Sequence, residues 1–141
     1  MIGAVASNPI SCTFIGDKSL SKRSMSRVTN YLEKIGAETK LTKENYLPLM
    51  ITGSNNLLPY NHSCSIPSAQ IKSALILSGL NIKGKTTIIE KRKTRDHTER
   101  LMKYLNLNFK IKKFKNKQTL LELNGPYEIK SKDISVASDP S

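Results

Sequence analysis

The sequence predicts an α/β chain, α+β under some schemes, and three observations predict it. Short runs of β-branched and aromatic residues alternate with segments whose apolar residues recur every three to four positions. Gly, Pro and Asn clusters punctuate the boundaries between them. The elements run β-α-β-β, then β-α-β-α-β-β, then β, so strands and helices are interleaved within one sheet-and-helix layer. No internal sequence repeat accompanies this recurring order.

Taken in order, Met1–Ser7 reads as the tail of a helix, closed by Asn8-Pro9. Ser11–Ile15 is a short β-prone run, and Gly16-Asp17 turns the chain into a polar loop. Met25, Val28, Leu32 and Ile35 then form a helical stripe, which Gly36 stops. Two β-prone runs follow, Glu38–Leu41 and Tyr46–Thr52, and then a turn-rich stretch at Gly53–Asn61. Ser63–Ile66 predicts a strand leading into a helix over Pro67–Leu80, which ends at Gly79 or Asn81. Thr86–Ile89 is a strand of β-branched residues. A third helix opens at Asp96, with Glu99 as its capping-box partner, and buries Leu101, Met102 and Leu105. Leu107–Ile111 and Thr119–Leu123 read as strands around a turn at Phe114–Lys117, and Ile129–Val136 as one more strand.

The 141 residues are long enough for one domain with a real core, and 38% hydrophobic content lies above the disordered range. The formal net charge is +12. Residues 83–117 hold ten Lys and three Arg against three acidic residues, a balance of +10 within that window. Such a block suits nucleic acid, acidic lipid or phosphorylated small molecules, or it is a solvated face. Lys far outnumbers Arg and aromatics are few, which disfavours a base-stacking surface. Cys12 and Cys64 stand apart with no CxxC or Cys/His spacing, so no metal site is expected. No segment approaches the apolar length of a membrane span, and Met1–Ala6 lacks the basic start of a signal peptide. The expected compartment is the cytoplasm.

The candidate chemistry sits at helix entrances. Ser68 is placed to cap the Pro67–Leu80 helix, and its first turn joins free N–H groups to the positive end of the dipole, which suits a phosphate. Lys72, one turn on, either adds a charge to that anion site or snorkels as an ordinary helix lysine. Arg23 precedes the Met25–Ile35 helix, and Arg95 opens the third helix. Both are guanidinium groups suited to carboxylate or phosphate, or else solvated surface arginines. Asp96 and Glu99 read as caps rather than an acid–base pair. His97 reads as structural, since no nucleophile or carboxylate accompanies it in sequence.

Three segments, PSAQIKSALILSGL (67–80), GDKSLSKRSMSRV (16–28) and TRDHTERLM (94–102), together resemble the 3-phosphoshikimate 1-carboxyvinyltransferases, or EPSP synthases, in the same order. The resemblance covers nearly the whole chain yet matches only a middle portion of that enzyme. It implies the enolpyruvate transferase fold: two domains, each of three βαβαββ units with parallel helices inside and sheets outside. Residues 1–62 would be a partial unit, 63–124 a complete one and 125–141 the start of a segment leading to a second domain, so the domain is incomplete.

By the same resemblance Arg23 contacts phosphoenolpyruvate and Ser68 holds shikimate 3-phosphate. Gln70 lies over both shikimate 3-phosphate and phosphoenolpyruvate, and Arg95 contacts shikimate 3-phosphate. The chain departs from the family pattern at Ser24 (Pro), Thr94 (Ser), Ala137 (Pro) and Ser138 (Gly).

The reaction so implied moves the enolpyruvyl group of phosphoenolpyruvate to the 5-hydroxyl of shikimate 3-phosphate, a step toward chorismate and the aromatic amino acids, without metal or organic cofactor. The family's N-terminal Lys-Ser-Arg motif and its second-domain acidic base are not among these residues. The chain alone is therefore expected to be inactive, with complementary pieces of the same enzyme as partners. It is also expected to expose apolar helix faces and open sheet edges, and to be marginally stable or self-associating. Two other readings are a basic nucleic-acid-binding module and a fragment of the sister enolpyruvyl transferase acting on a UDP-N-acetylglucosamine. PSAQIKSA and RDHTE fit the shikimate enzyme better.

Overall fold

The computed structural model describes residues 1–43, 45–64 and 66–135. The chain begins with a short helix, α1 (Ile2–Ala6), followed by β1 (Ser11–Phe14), a single 3₁₀ turn at Leu20–Lys22, and α2 (Ser26–Lys34). β2 (Glu38–Lys43) and β3 (Tyr46–Thr52) complete a three-stranded antiparallel sheet in the order β1-β3-β2. Then come β4 (Asn61–Cys64), α3 (Ala69–Gly79), β5 (Gly84–Glu90), α4 (His97–Tyr104), β6 (Lys110–Lys113) and β7 (Thr119–Gly125). These four strands form a second sheet, β4-β5-β7-β6, parallel between β4 and β5 and antiparallel elsewhere.

Period-two alternation decides which side chains face the core. In β3, Leu47, Leu49 and Ile51 point inward and are buried. Pro48 interrupts this central strand beyond the end of β1, whose last pair is Phe14–Leu49. It also sits where β2 bulges between Leu41 and Lys43, so its missing N–H costs no ladder bond there. In β5 the inward row is Thr86, Ile88 and Glu90, and β7 answers it with Leu121 and Leu123. That register carries a carboxylate into the core at the end of β5.

The predicted stripe of α2 is buried in full: Met25, Val28, Leu32 and Ile35. Gly36 ends the helix at φ 100°, and the amide of Ala37 donates back to the Leu32 carbonyl, the bonding of a Schellman cap. α3 is buried around most of its circumference, with Ile71, Leu75, Ile76 and Ser78 all inside, because it runs between α1 and α2 on one side and β5 and β7 on the other. α1 crosses α3 at a distance only glycine permits. A Cβ on Gly3 would stand 2.0 Å from the Ala74 carbonyl oxygen.

Three expectations are corrected. Leu101 is 39% exposed, and the buried side of α4 is Glu99 and Met102, with Leu105 packed at its edge. The helix is rotated because Glu99 meets a buried partner. The strand expected from Leu107 starts only at Lys110. Residues 105–107 instead close α4, with Asn106 at φ 59° and the Leu107 amide donating to the Met102 carbonyl.

Residues 129–135 form no strand, and Val136 lies outside the described residues, as do Ala137 and Ser138. That segment runs along the end of α4. The Tyr104 hydroxyl donates to the Asp133 carbonyl at 2.6 Å, and Lys132 Nζ donates to the Tyr104 carbonyl at 2.6 Å. These bonds take the place of a strand ladder.

Candidate substrate-binding site

β4 and β5 are parallel neighbours, with Asn61 opposite Thr87 and Cys64 opposite Glu90. The chain therefore leaves both strands at one edge of the sheet and enters α3 and α4 from that edge. Open α/β sheets place ligands at the carboxyl ends of such strands. Ser68 is the N-cap of α3, extended at φ −143° and ψ 114°, and its Oγ accepts the Ile71 amide at 3.4 Å. The cap expected from sequence is thus formed, and Ser68 is half-buried. A hydroxyl that accepts here still has its proton free to donate to an anion.

Arg95 is exposed and directly precedes Asp96, the N-cap residue of α4. The N-terminal halves of the two helices are joined side chain to side chain. Ser73 and Thr98 hydroxyls lie 2.6 Å apart, and Lys72 Nζ lies 2.6 Å from Glu99 Oε1.

Lys72 is the largest correction to the sequence reading. It does not snorkel, being only 1% exposed, and its ammonium is engaged by carboxylates. Its ammonium lies 3.1 Å from Glu90 Oε1 as well as 2.6 Å from Glu99 Oε1, so one cation bridges β5 and α4 from α3. Glu90 Oε1 also accepts the Thr94 amide at 2.8 Å and the Thr94 hydroxyl. The expected capping box dissolves for the same reason. Asp96 makes no cap bond with its side chain and pairs with Arg100 at 3.1 Å, while Glu99 turns inward.

Cys64, at the end of β4, feels this cluster. Burial pushes its thiol from 9.0 up to about 11, the Glu90 charge adds to the rise, and Lys72 partly offsets it.

Arg23 is exposed at the C-cap of the Leu20–Lys22 turn. Asp17 Oδ1 anchors that turn by accepting the Leu20 amide at 2.7 Å, and the Ser24 and Ser26 hydroxyls pair at 2.7 Å beyond it. Gln70 is exposed on the first turn of α3 and borders a cavity of about 380 Å³ whose apolar wall includes Leu20, Met25, Val28 and Leu77. Gln70 therefore shares a cavity with Leu20 and Met25, which flank Arg23. Arg23, Arg95 and Ser68 do not line it.

His97 is exposed on α4. Among the described residues no group of three or more His, Cys, Asp or Glu side chains is placed to hold a metal, and no helix is long and apolar enough to cross a membrane. Sequence reading missed Glu90 and Thr94. The signal for Glu90 was its place two residues beyond Ile88 in the alternating row of β5.

This architecture is shared with enolpyruvyl transferases. The transferase NikO from Streptomyces tendae superposes over 91% of the chain with a TM-score of 0.57 at 16% identity, a likeness of fold alone. EPSP synthase from Acinetobacter baumannii gives a TM-score of 0.79 at 32% identity, over 91% of this chain and 28% of that one. The family model described as EPSP synthase (3-phosphoshikimate 1-carboxyvinyltransferase) matches residues 1–141, and the chain belongs to that family. Relatives called 3-phosphoshikimate 1-carboxyvinyltransferase from Parvibaculum lavamentivorans and Zymomonas mobilis are 42% and 40% identical over all 141 residues. The chain spans 31% of the length of each.

Replacing Lys72 by Met strands two carboxylates in the core and is expected to cost about 3–5 kcal/mol of folding stability. Adding Glu90→Gln and Glu99→Gln should recover more than half of that, as read from urea unfolding midpoints. Equal instability of the single and triple variants would assign the loss to packing instead of charge.

The Cys64 thiol gives a pH test. Its folded value lies above the ordinary one, so its contribution to stability is complete below pH 9.0 and is lost as the pH rises toward about 11. Thiolate absorbance of Cys64 in the folded chain should therefore appear near pH 11, and at lower pH in Glu90→Gln.

Proposed function

We propose that these residues form part of the first domain of an EPSP synthase and supply one side of its substrate site. The observation that carries this reading is the delivery of Ser68 and Arg95, by neighbouring parallel strands, to one sheet edge in a chain of this family. The partial βαβαββ unit, the complete one and the segment leading onward, expected at 1–62, 63–124 and 125–141, then meet at the start of β4 and the end of β7, so the complete unit runs from Asn61 to Gly125. The working compartment is the cytoplasm.

In this reading the phosphate of shikimate 3-phosphate sits at the start of α3, where the Ser68 hydroxyl and the first-turn amides donate to it. Arg95 supplies the full positive charge that Lys72, committed to Glu90 and Glu99, does not. Gln70 reaches over the ring and the enolpyruvyl region, and Arg23 takes phosphoenolpyruvate. These groups bind and orient. The acid–base work of enolpyruvyl transfer falls to complementary segments of the enzyme, so the chain alone binds shikimate 3-phosphate without releasing phosphate from phosphoenolpyruvate.

Calorimetric titration with shikimate 3-phosphate tests this. Binding should saturate, and Arg95→Ala should weaken it by at least about tenfold, the loss of one charge-assisted hydrogen bond. Ser68→Ala should weaken it too, beyond its cost of about 1 kcal/mol to the helix cap. Absence of binding in a folded sample, together with retention on DNA that falls steeply with salt, would favour the basic-module reading.

A further inference from the structure

The segment between β5 and α4, residues 91–95, reads Lys-Arg-Lys-Thr-Arg. Four of its five side chains are cations, and all four are exposed, while Thr94 is half-buried. Adjacent like charges repel, and five residues outside regular structure have many conformations to lose on ordering. Something must hold this segment if Arg95 is to present its guanidinium at a fixed place. The structure contains such a restraint. Glu90 Oε1, fixed at the end of β5 and 5% exposed as a residue, accepts both the amide and the hydroxyl of Thr94. The same oxygen lies 3.1 Å from Lys72 Nζ, which is tied in turn to Glu99 on α4. The backbone of Arg95 is thus restrained on one side by Thr94 and on the other by the first turn of α4.

We propose that Lys72, Glu90 and Thr94 act as positioning residues that fix the backbone of Arg95 at the sheet edge where α3 begins. The relay stands on the geometry of the ligand-free chain. Its effect on shikimate 3-phosphate rests on the function proposed above. Lys72 acts at two removes: it sits between two buried carboxylates and holds Glu90 Oε1 in place against Thr94, instead of contacting the anion. A hydroxyl is required at position 94, so Ser serves there and Val does not.

Thr94→Val keeps the volume and β-branch and removes only the hydroxyl, while Thr94→Ser keeps the hydroxyl. In the ligand-free 141-residue chain, Thr94→Val should speed amide exchange at residues 94 and 95 by about tenfold and lower their NMR order parameters, leaving α3 amides unchanged. Thr94→Ser should match wild type within about twofold in both measurements. With shikimate 3-phosphate as probe, Thr94→Val should raise Kd by about tenfold and add nothing further when combined with Arg95→Ala.

Unchanged exchange and order at residues 94 and 95 in Thr94→Val would overturn the relay. So would a Kd that responds to Arg95→Ala but not to Thr94→Val. If wild type fails to bind, or Arg95→Ala leaves Kd unchanged, the ligand assignment falls by itself, and the exchange data still decide the relay.

Discussion

A single buried ammonium organises the junction of α3, β5 and α4. Lys72 projects from a helix that is otherwise apolar on nearly all sides, and it meets Glu90 from β5 and Glu99 from α4. Withdrawing three charges from water is costly, and an apolar trio of similar volume would hold the core together at least as well. What the ionic cluster supplies is geometry. Its hydrogen bonds fix how α3, β5 and α4 meet, and through Thr94 they reach the loop that carries Arg95. The rotation of α4, the exposure of Leu101 and the loss of the capping box all follow from turning Glu99 inward.

The surroundings of α3 explain why its first turn is the part left accessible. The helix is covered by α1 and α2 on one side and by the sheet on the other, and Gly3 lets α1 lie against the α3 backbone. Little of the helix flank remains accessible except near Gln70, at the edge of an apolar cavity. The N-terminus, capped by Ser68 and set at the ends of two parallel strands, is where backbone donors and dipole face outward together. Ser68 and Arg95 are separated in sequence by a helix and a strand. The parallel register of β4 and β5 brings their elements to one edge.

Much of this was legible without coordinates, because it is locally encoded. The stripe of Met25, Val28, Leu32 and Ile35, the stop at Gly36 and the cap at Ser68 depend on spacing and backbone preference within one or two turns. Family motifs pointed to Arg23, Gln70 and Arg95 without saying how they are held. The misreadings share a cause: each depended on a partner remote in sequence. Lys72 reads as a solvated helix lysine until the alternation of β5 is seen to end in a buried Glu90. The capping pattern of Asp96 and Glu99 fits locally, yet an ion pair to α3 outweighs the fraction of a kilocalorie to about 2 kcal/mol that a cap contributes. Ile129–Val136 has β-prone residues, but its described part is held against α4 by Tyr104 with no strand beside it.

Under the proposed function, labour is divided between an internal cation and an external one: Lys72 ties the fold, and Arg95 with Ser68 is left to meet the anion. A crystal structure of this chain with shikimate 3-phosphate tests that division most directly. Phosphate oxygens are expected on the Ser68 hydroxyl, the first amides of α3 and the Arg95 guanidinium, with Lys72 still bound to Glu90 and Glu99. A Lys72 ammonium withdrawn from both carboxylates and seated on the phosphate would contradict it.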